Sequence, residues 1–351
     1  MRSHTSFAGF VAALSLACSA VAELSKPHLT NPELRNADVW WRQARDMEAD
    51  LPEHSYRSDD WDNNYIPEVF LSLYYQSASF NYSIWDVETK NVYFSDCPHP
   101  NVVSRHRGSQ KSWDDVFRAF SKSPVGIRAH MSNLLIIPDE ALVNVAGYAP
   151  ATAAVFVSQY FHLPVMIHEG FHGLDVIAFR DKVAGRYSEW STWWSVYDKD
   201  SHVVTDYART NQIENFAETG HWAVADMTRG LANYTTHRAQ VANQLDHVRA
   251  RLGAVLFPGG WPSGGACTRK VAAGPIVDKR TLARLDLAGG SHIMGGGDRG
   301  LEWAFGNRAG AGGVPIIELP EDLDWTPPEP VLLSGGGAYN LAVQGVLPGS
   351  V

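Results

Sequence analysis

The stretch Pro164–Phe179, PVMIHEGFHGLDVIAF, decides how the chain is read. Proline in a first helical turn sacrifices no hydrogen bond, and the residues after it are apolar on every side, so the stretch predicts a buried helix from Pro164 to about Arg180. Inside it His168 and His172 stand four residues apart, about 40° around a helix, with Glu169 beside them. Two imidazoles on one face can reach one metal ion, and the carboxylate lies where an attacking water would be. Buried histidines and a carboxylate need partners that offset their loss of water, and zinc is the natural one.

A catalytic zinc takes three protein ligands and keeps one position open. Ten residues after His168 stands Ala178, which excludes the pattern in which a third histidine or an aspartate follows at that distance. Asp175 shares the face of His168 and His172, but one and a half turns of helix supply three ligands only with difficulty, so it is expected to orient an imidazole from behind. Downstream, Tyr207–Glu218 reads YARTNQIENFAE, with Glu214 and Glu218 four apart on one helical face. One of the pair can bind metal while the other accepts a proton from a ligating histidine. Glu214 can also close a capping box with Asn211. His221, seven residues on from Glu214, shares that face without an assigned role.

HExxHxxD followed by YxRTNxxExFAE resembles the catalytic domain of the anthrax lethal factor-type zinc metallopeptidases, of the gluzincin group. Read as HExxHxLD and YAxTNQxEN, the same pair also resembles the fungal conidiation-specific secreted proteins, and the likeness spans roughly residues 30–230. It implies an α+β zincin-like domain with a small mixed sheet and an active-site helix. It further implies Zn2+ held by His168, His172 and Glu214, with Glu169 as the base that activates water. Tyr207 would donate to the developing oxyanion, and Glu218 and Asp175 would stand behind the ligands. A peptide or protein substrate would lie along AAVFV (Ala153–Val157) as an edge strand, with NLLIIPD before Gly147 as the sheet strand preceding the helix. Asn215, where the bacterial pattern carries an aromatic residue, is expected in the wall beside the metal. The competing expectation is a secreted, non-catalytic metal-binding or cell-wall and spore-surface protein of the same fold. Glu169 favours the enzyme, because a structural zinc site needs no base.

Around these motifs the pattern is α+β. Trp40–Met47, a Ser112-capped segment through Phe120, Ser188–Tyr197, Asn211–Gly230 and Thr236–Leu252 read as helices, the last stopped by Gly253. Asn91–Ser95, Asn133–Ile137 and Ala153–Val157 read as strands. Trp190, Trp193 and Trp194 are expected in the core.

Residue counts set the outer bounds. Of 351 residues, 45% are hydrophobic and 19% charged, enough for a sizeable core and too apolar for a disordered chain. A formal charge of −9, with no basic run denser than Arg105-His106-Arg107 in an expected loop, leaves no nucleic-acid footprint. The first 22 residues have a basic start, the apolar run Phe7–Ala17 and Ala20-Val21-Ala22 as cleavage site, the order of a secretory signal, so the protein is expected outside the cell. No later stretch approaches a membrane span. In that compartment Cys97 and Cys267 are expected to pair, and Asn81-Tyr-Ser and Asn233-Tyr-Thr to accept N-glycans. Of the 30 glycines, 20 fall in residues 256–351. Three segments are therefore expected: a signal at 1–22, the zincin-like domain at 23–255, and a Gly/Pro-rich extension at 256–351 packed on or covering it. Oligomeric state leaves no mark in the sequence.

Overall fold

The computed structural model describes residues 23–76, 82–141, 147–148, 152–179, 185–261, 265–267 and 270–280. The expected signal at 1–22, the acceptor Asn81 and most of the glycine-rich extension lie outside the described residues. In chain order the elements are α1 (Ala37–Asp50), β1 (Tyr56–Asp60), β2 (Tyr65–Pro67), α2 (Glu68–Gln76), β3 (Val87–Phe94) and β4 (Cys97–His106). Next come α3 (Trp113–Lys122), α4 (Val125–His130), β5 (Asn133–Ile137), β6 (Gly147–Tyr148), β7 (Ala153–Val157) and α5 (Leu163–Ile177). The described chain closes with α6 (Ser191–Lys199), α7 (Gln212–Thr228), α8 (Ala242–Leu256) and β8 (Ile276–Asp278).

Six strands form one mixed sheet in the order β1-β3-β4-β5-β7-β6. The β4–β5 and β5–β7 pairs are parallel and the others antiparallel. β5 and β7 are buried at every residue because each face of the sheet has its own cover. Leu134, Ile136, Ala154 and Phe156 join the core that includes α1, α3, α5, α7 and α8. Their alternates, Leu135, Ile137, Ala153, Val155 and Val157, pack into a second core with Phe70, Leu71 and Leu73 of α2. Strands apolar on both faces are what a doubly covered parallel pair requires, which is why NLLII and AAVFV read as unbroken apolar runs.

Three expectations are corrected. AAVFV is not the edge strand: β6 pairs outside it, Gly147 with Phe156 and Tyr148 with Val155, so that backbone edge is already occupied. Gly253 does not stop α8, which runs on to Leu256. Nothing lies within 4 Å of where its Cβ would be, so only the intrinsic helix cost of glycine, about 1 kcal/mol, opposes it, and burial of Leu252, Val255 and Leu256 outweighs that. Arg105 and His106 belong to β4 rather than to a loop, and Arg107 alone of the basic triplet follows the strand.

The site helices α5 and α7 approach closely because of one glycine. A Cβ on Gly220 would stand 2.3 Å from the Phe171 ring, so any larger residue would push the two helices apart. The start of the extension is fastened to the main body at two points. Cys97 and Cys267 form a disulfide, and β8 pairs antiparallel with β2. Among the described residues no helix is long and apolar enough to cross a membrane.

Candidate metal centre

Every residue of α5 from Leu163 to Asp175 is buried, and this all-round burial brings His168, Glu169 and His172 away from water with the helix. The two imidazole rings stand 4.9 Å apart, centre to centre. α7 brings the carboxylates. Asn211 caps it by accepting from the Glu214 backbone N–H at 2.9 Å, and the Glu214 side chain turns to the histidines instead of to the cap. Its Oε2 lies 3.4 Å from His168 Nε2 and 3.5 Å from His172 Nε2.

One turn further on, Glu218 faces the opposite nitrogen of the same imidazole. Its Oε1 is 3.1 Å from His168 Nδ1 and 3.4 Å from His221 Nε2, while Oε2 accepts from Thr205 Oγ1 at 2.6 Å. Gln43 of α1 completes the chain, its amide Nε2 being 3.1 Å from His221 Nδ1. These contacts fix the protons. An N–H of Gln43 donates to His221 Nδ1, so the His221 proton sits on Nε2, toward Glu218; the reverse amide orientation would aim a bare nitrogen at a carboxylate. Glu218 likewise favours a proton on His168 Nδ1, so that a metal ion displacing the other proton would meet the Nε2 lone pair on the side of Glu214 and His172.

Proximity is not saturation here. His172 Nε2, Glu169 Oε2, Glu214 Oε2, His168 Nδ1 and His221 Nε2 are all buried without an aligned hydrogen bond. Buried polar atoms are rarely left so, and five in one place mark a site built for something else. Two groups have donor atoms within 4.8 Å of one another and could hold a metal ion, His168 with His172 and Glu214, and His168 with Glu218 and His221. They share one imidazole through its two different nitrogens.

The charges follow from burial and these neighbours. Burial works against a charged His168, but the carboxylates of Glu214 and Glu218 outweigh it and push the imidazole up to about 10. Burial also opposes ionisation of Glu214, yet His172 and His168 hold it below the usual carboxylate range. Glu169 goes the other way, raised by burial that the two histidines only partly offset. Burial and then Glu214 raise the Tyr207 phenol far above its ordinary value, so it stays protonated and able to donate. Tyr207 opens a short 3-10 turn, Tyr207–Arg209, with its ring 5.9 Å from that of His168.

Other expected residues fall elsewhere. Both oxygens of Asp175 accept from Ser188, from N at 2.6 Å and Oγ at 2.7 Å. Asp175 therefore fastens α5 to the following segment, and among the described residues it makes no hydrogen bond to an imidazole. Asn215 points into the α7–α8 seam, donating to Gln212 and Gln244, and forms no wall beside the ligands. Trp193 is fully buried and donates to Gln212. Asn233 is exposed just beyond α7, its amide donating to the Arg229 carbonyl at 2.5 Å. His221 was legible from its i, i+3 spacing to Glu218; Gln43, 178 residues away from it, left no sequence signal.

A mixed α+β fold enclosing a His/Glu cluster able to hold a metal ion is the class these features define. The family model for conidiation-specific protein Con-13 matches residues 44–272, and the chain belongs to that family. Conidiation-specific protein 13 of Neurospora crassa is 24% identical over 207 residues, which are 57% of this chain and 57% of that protein. The match thus spans little more than half the length of that relative. No solved structure matches.

Proposed function

We propose that the protein is a secreted zinc-dependent metallopeptidase. The donor set fits zinc. Ligand atoms on bonds of 2.0–2.2 Å to a tetrahedral zinc are about 3.4 Å from each other, and Glu214 Oε2 stands 3.4 and 3.5 Å from the two imidazole nitrogens, with no aligned hydrogen bond to either. Zinc held by His168, His172 and Glu214 would supply Lewis acidity and one open coordination position. Glu218, with Thr205 and His221 holding it, keeps His168 turned with Nε2 toward that position. Tyr207, protonated at neutral pH, would donate to the oxygen of a scissile carbonyl, a role that its ring 5.9 Å from that of His168 supports.

The observation that carries the reading is Glu169. It is a buried carboxylate with Oε2 unpartnered, one residue from the first ligand, and its raised affinity for protons suits it to take one from water and return it to a leaving amine. A purely structural site would need the ligands without it. Secretion is supported by the order of charge, apolar run and small residues before residue 23, and the Cys97–Cys267 disulfide is compatible with it.

The relative's name, conidiation-specific protein 13, favours a second reading, a secreted metal-binding or spore-surface protein without turnover. Metal content of the purified protein, with peptidase activity of wild type against Glu169→Gln, separates the two. The peptidase reading expects close to one zinc per chain in both proteins and about 100- to 10,000-fold slower cleavage by the variant. Zinc without Glu169-dependent cleavage selects the second reading, and absence of bound metal removes the peptidase and leaves of the second reading only the spore-surface protein.

A further inference from the structure

Arg35 immediately precedes Asn36, the cap of α1, and is only 8% exposed. Its guanidinium carbon lies 4.7 Å over the Tyr207 ring and 6.0 Å from that of Trp40. Stacking is all it has: among the described residues it makes no hydrogen bond or ion pair, and its Nε is buried without a partner. A guanidinium cannot shed its charge, and while Nε is sealed off, the two terminal nitrogens are not among the sealed polar atoms, so their donors stay open to solvent. Arg128 shows how this chain treats a buried arginine that serves the fold, donating to Asp96 and to the carbonyls of Ser121 and Ser123.

Nothing nearby in sequence compensates Arg35. Glu33 lies 3.9 Å from His28, and Glu23 pairs with Arg209 at 2.8 Å. The amino end of α1 adds partial positive charge of its own. The open donors are free to meet an anion from outside, and stacking holds Arg35 against the face of Tyr207, beside the His/Glu cluster. Glu169, Glu214 and Glu218 would repel a negative group anywhere else in the site, so one cation at its side sets where such a group can go.

We propose that Arg35 is the receptor for a substrate carboxylate, a free carboxy terminus or an acidic side chain, held by the planar fork of its guanidinium. The proposal rests on the peptide-substrate reading for the class of ligand, but the binding it describes needs no turnover. Three amino-terminally blocked tripeptides differing in one group serve as probes: a free terminal carboxylate, the carboxamide, and the carboxamide with a central aspartate. Each is titrated calorimetrically into the full chain in a Glu169→Gln background, so that none is consumed, with Arg35 intact, Arg35→Lys or Arg35→Met.

With Arg35 intact, at least one carboxylate probe is expected to bind about 10- to 100-fold tighter than the plain carboxamide, and which one does so identifies the source. Arg35→Met should erase the preference and Arg35→Lys retain part of it, at unchanged zinc content. Equal affinity for all three probes with Arg35 intact overturns the proposal, as does a preference that survives Arg35→Met. Should Arg35→Met fail to fold, Arg35→Gln replaces it under the same criteria. A carboxylate preference in a protein whose unmutated form cleaves nothing leaves this subsite standing and removes the peptidase; cleavage without any preference does the reverse.

Discussion

Two carboxylates of α7, three turns apart, are handled in opposite ways. At the amino end, Glu214 Oε2 faces two imidazole nitrogens at 3.4 and 3.5 Å and receives no aligned hydrogen bond. At the carboxy end, Asp226 accepts from the Leu231 N–H at 2.8 Å, from the fork of Arg238 and from Arg249 at 2.8 Å. Both residues are buried, and both belong to one helix. The difference lies in saturation: Asp226 uses its lone pairs to close the helix end, whereas Glu214 keeps one directed at two imidazole nitrogens without an aligned hydrogen bond. A metal ion fits that second arrangement, with the proton of His168 as its competitor, so the degree of satisfaction separates a carboxylate of the fold from one of the candidate site.

Amide substitutions test that contrast most strongly. Under the proposed zinc site, Glu214→Gln should abolish zinc retention while thermal unfolding of the metal-free protein shifts by no more than a few degrees. Asp226→Asn should leave the proposed zinc site loaded yet lose about 2–3 kcal/mol in urea unfolding, because Arg249 loses its counter-charge and Arg238 keeps only Asp246. Loss of zinc in Asp226→Asn would break the contrast. Gly220→Ala, midway along the helix, should touch both ends: a Cβ 2.3 Å from the Phe171 ring costs about 1–3 kcal/mol and, by spreading α5 from α7, weakens zinc in a competition titration. The smallest effect is a pH dependence. Burial would raise the Asp226 carboxyl, but hydrogen bonds from Arg238 and Leu231 prevail and hold it below its ordinary 3.8. The unfolded chain therefore takes up this proton first on acidification. The stabilisation is complete above 3.8 and lost as pH falls through the lower folded value, so urea midpoints measured below that pH should drop less in Asp226→Asn than in wild type.

What was readable in the sequence is what local spacing controls. Helix α5 and the Glu214–Glu218 step follow from residues three or four apart, and β5 and β7 from apolar runs. The Ser112 start of α3 follows from a capping box, which is present with Asp115. Features set by distant parts of the chain were not readable. The six residues of α4 are a helix held by a Pro124 start and complete burial, without a periodic face of their own. β4 contains Pro98 and Pro100, polar punctuation that hides its pairing with β3 and β5. The edge position of AAVFV is implied by the resemblance alone, and the strand that takes that edge, β6, is two residues long and leaves no apolar run to read. Within the site, the imidazoles and glutamates declared themselves, but Gln43 and Arg35 come from the α1 region and enter only by folding back across the helices.

The disulfide has a topological consequence for this arrangement. Cys97 and Cys267 are 170 residues apart, so α5, the Tyr207 turn and α7 lie on a closed covalent ring, worth about 5 kcal/mol against the open chain in the loop-entropy account. Gln43 and Arg35 lie off that ring, on the amino-terminal arm. A single cut within the ring leaves His168, His172 and Glu214 tethered to one molecule, while a cut between Arg35 and Cys97 severs the arm's cation from the ring that bears the His/Glu cluster. The chain is thus divided into a part that proteolysis cannot scatter and a part that it can remove.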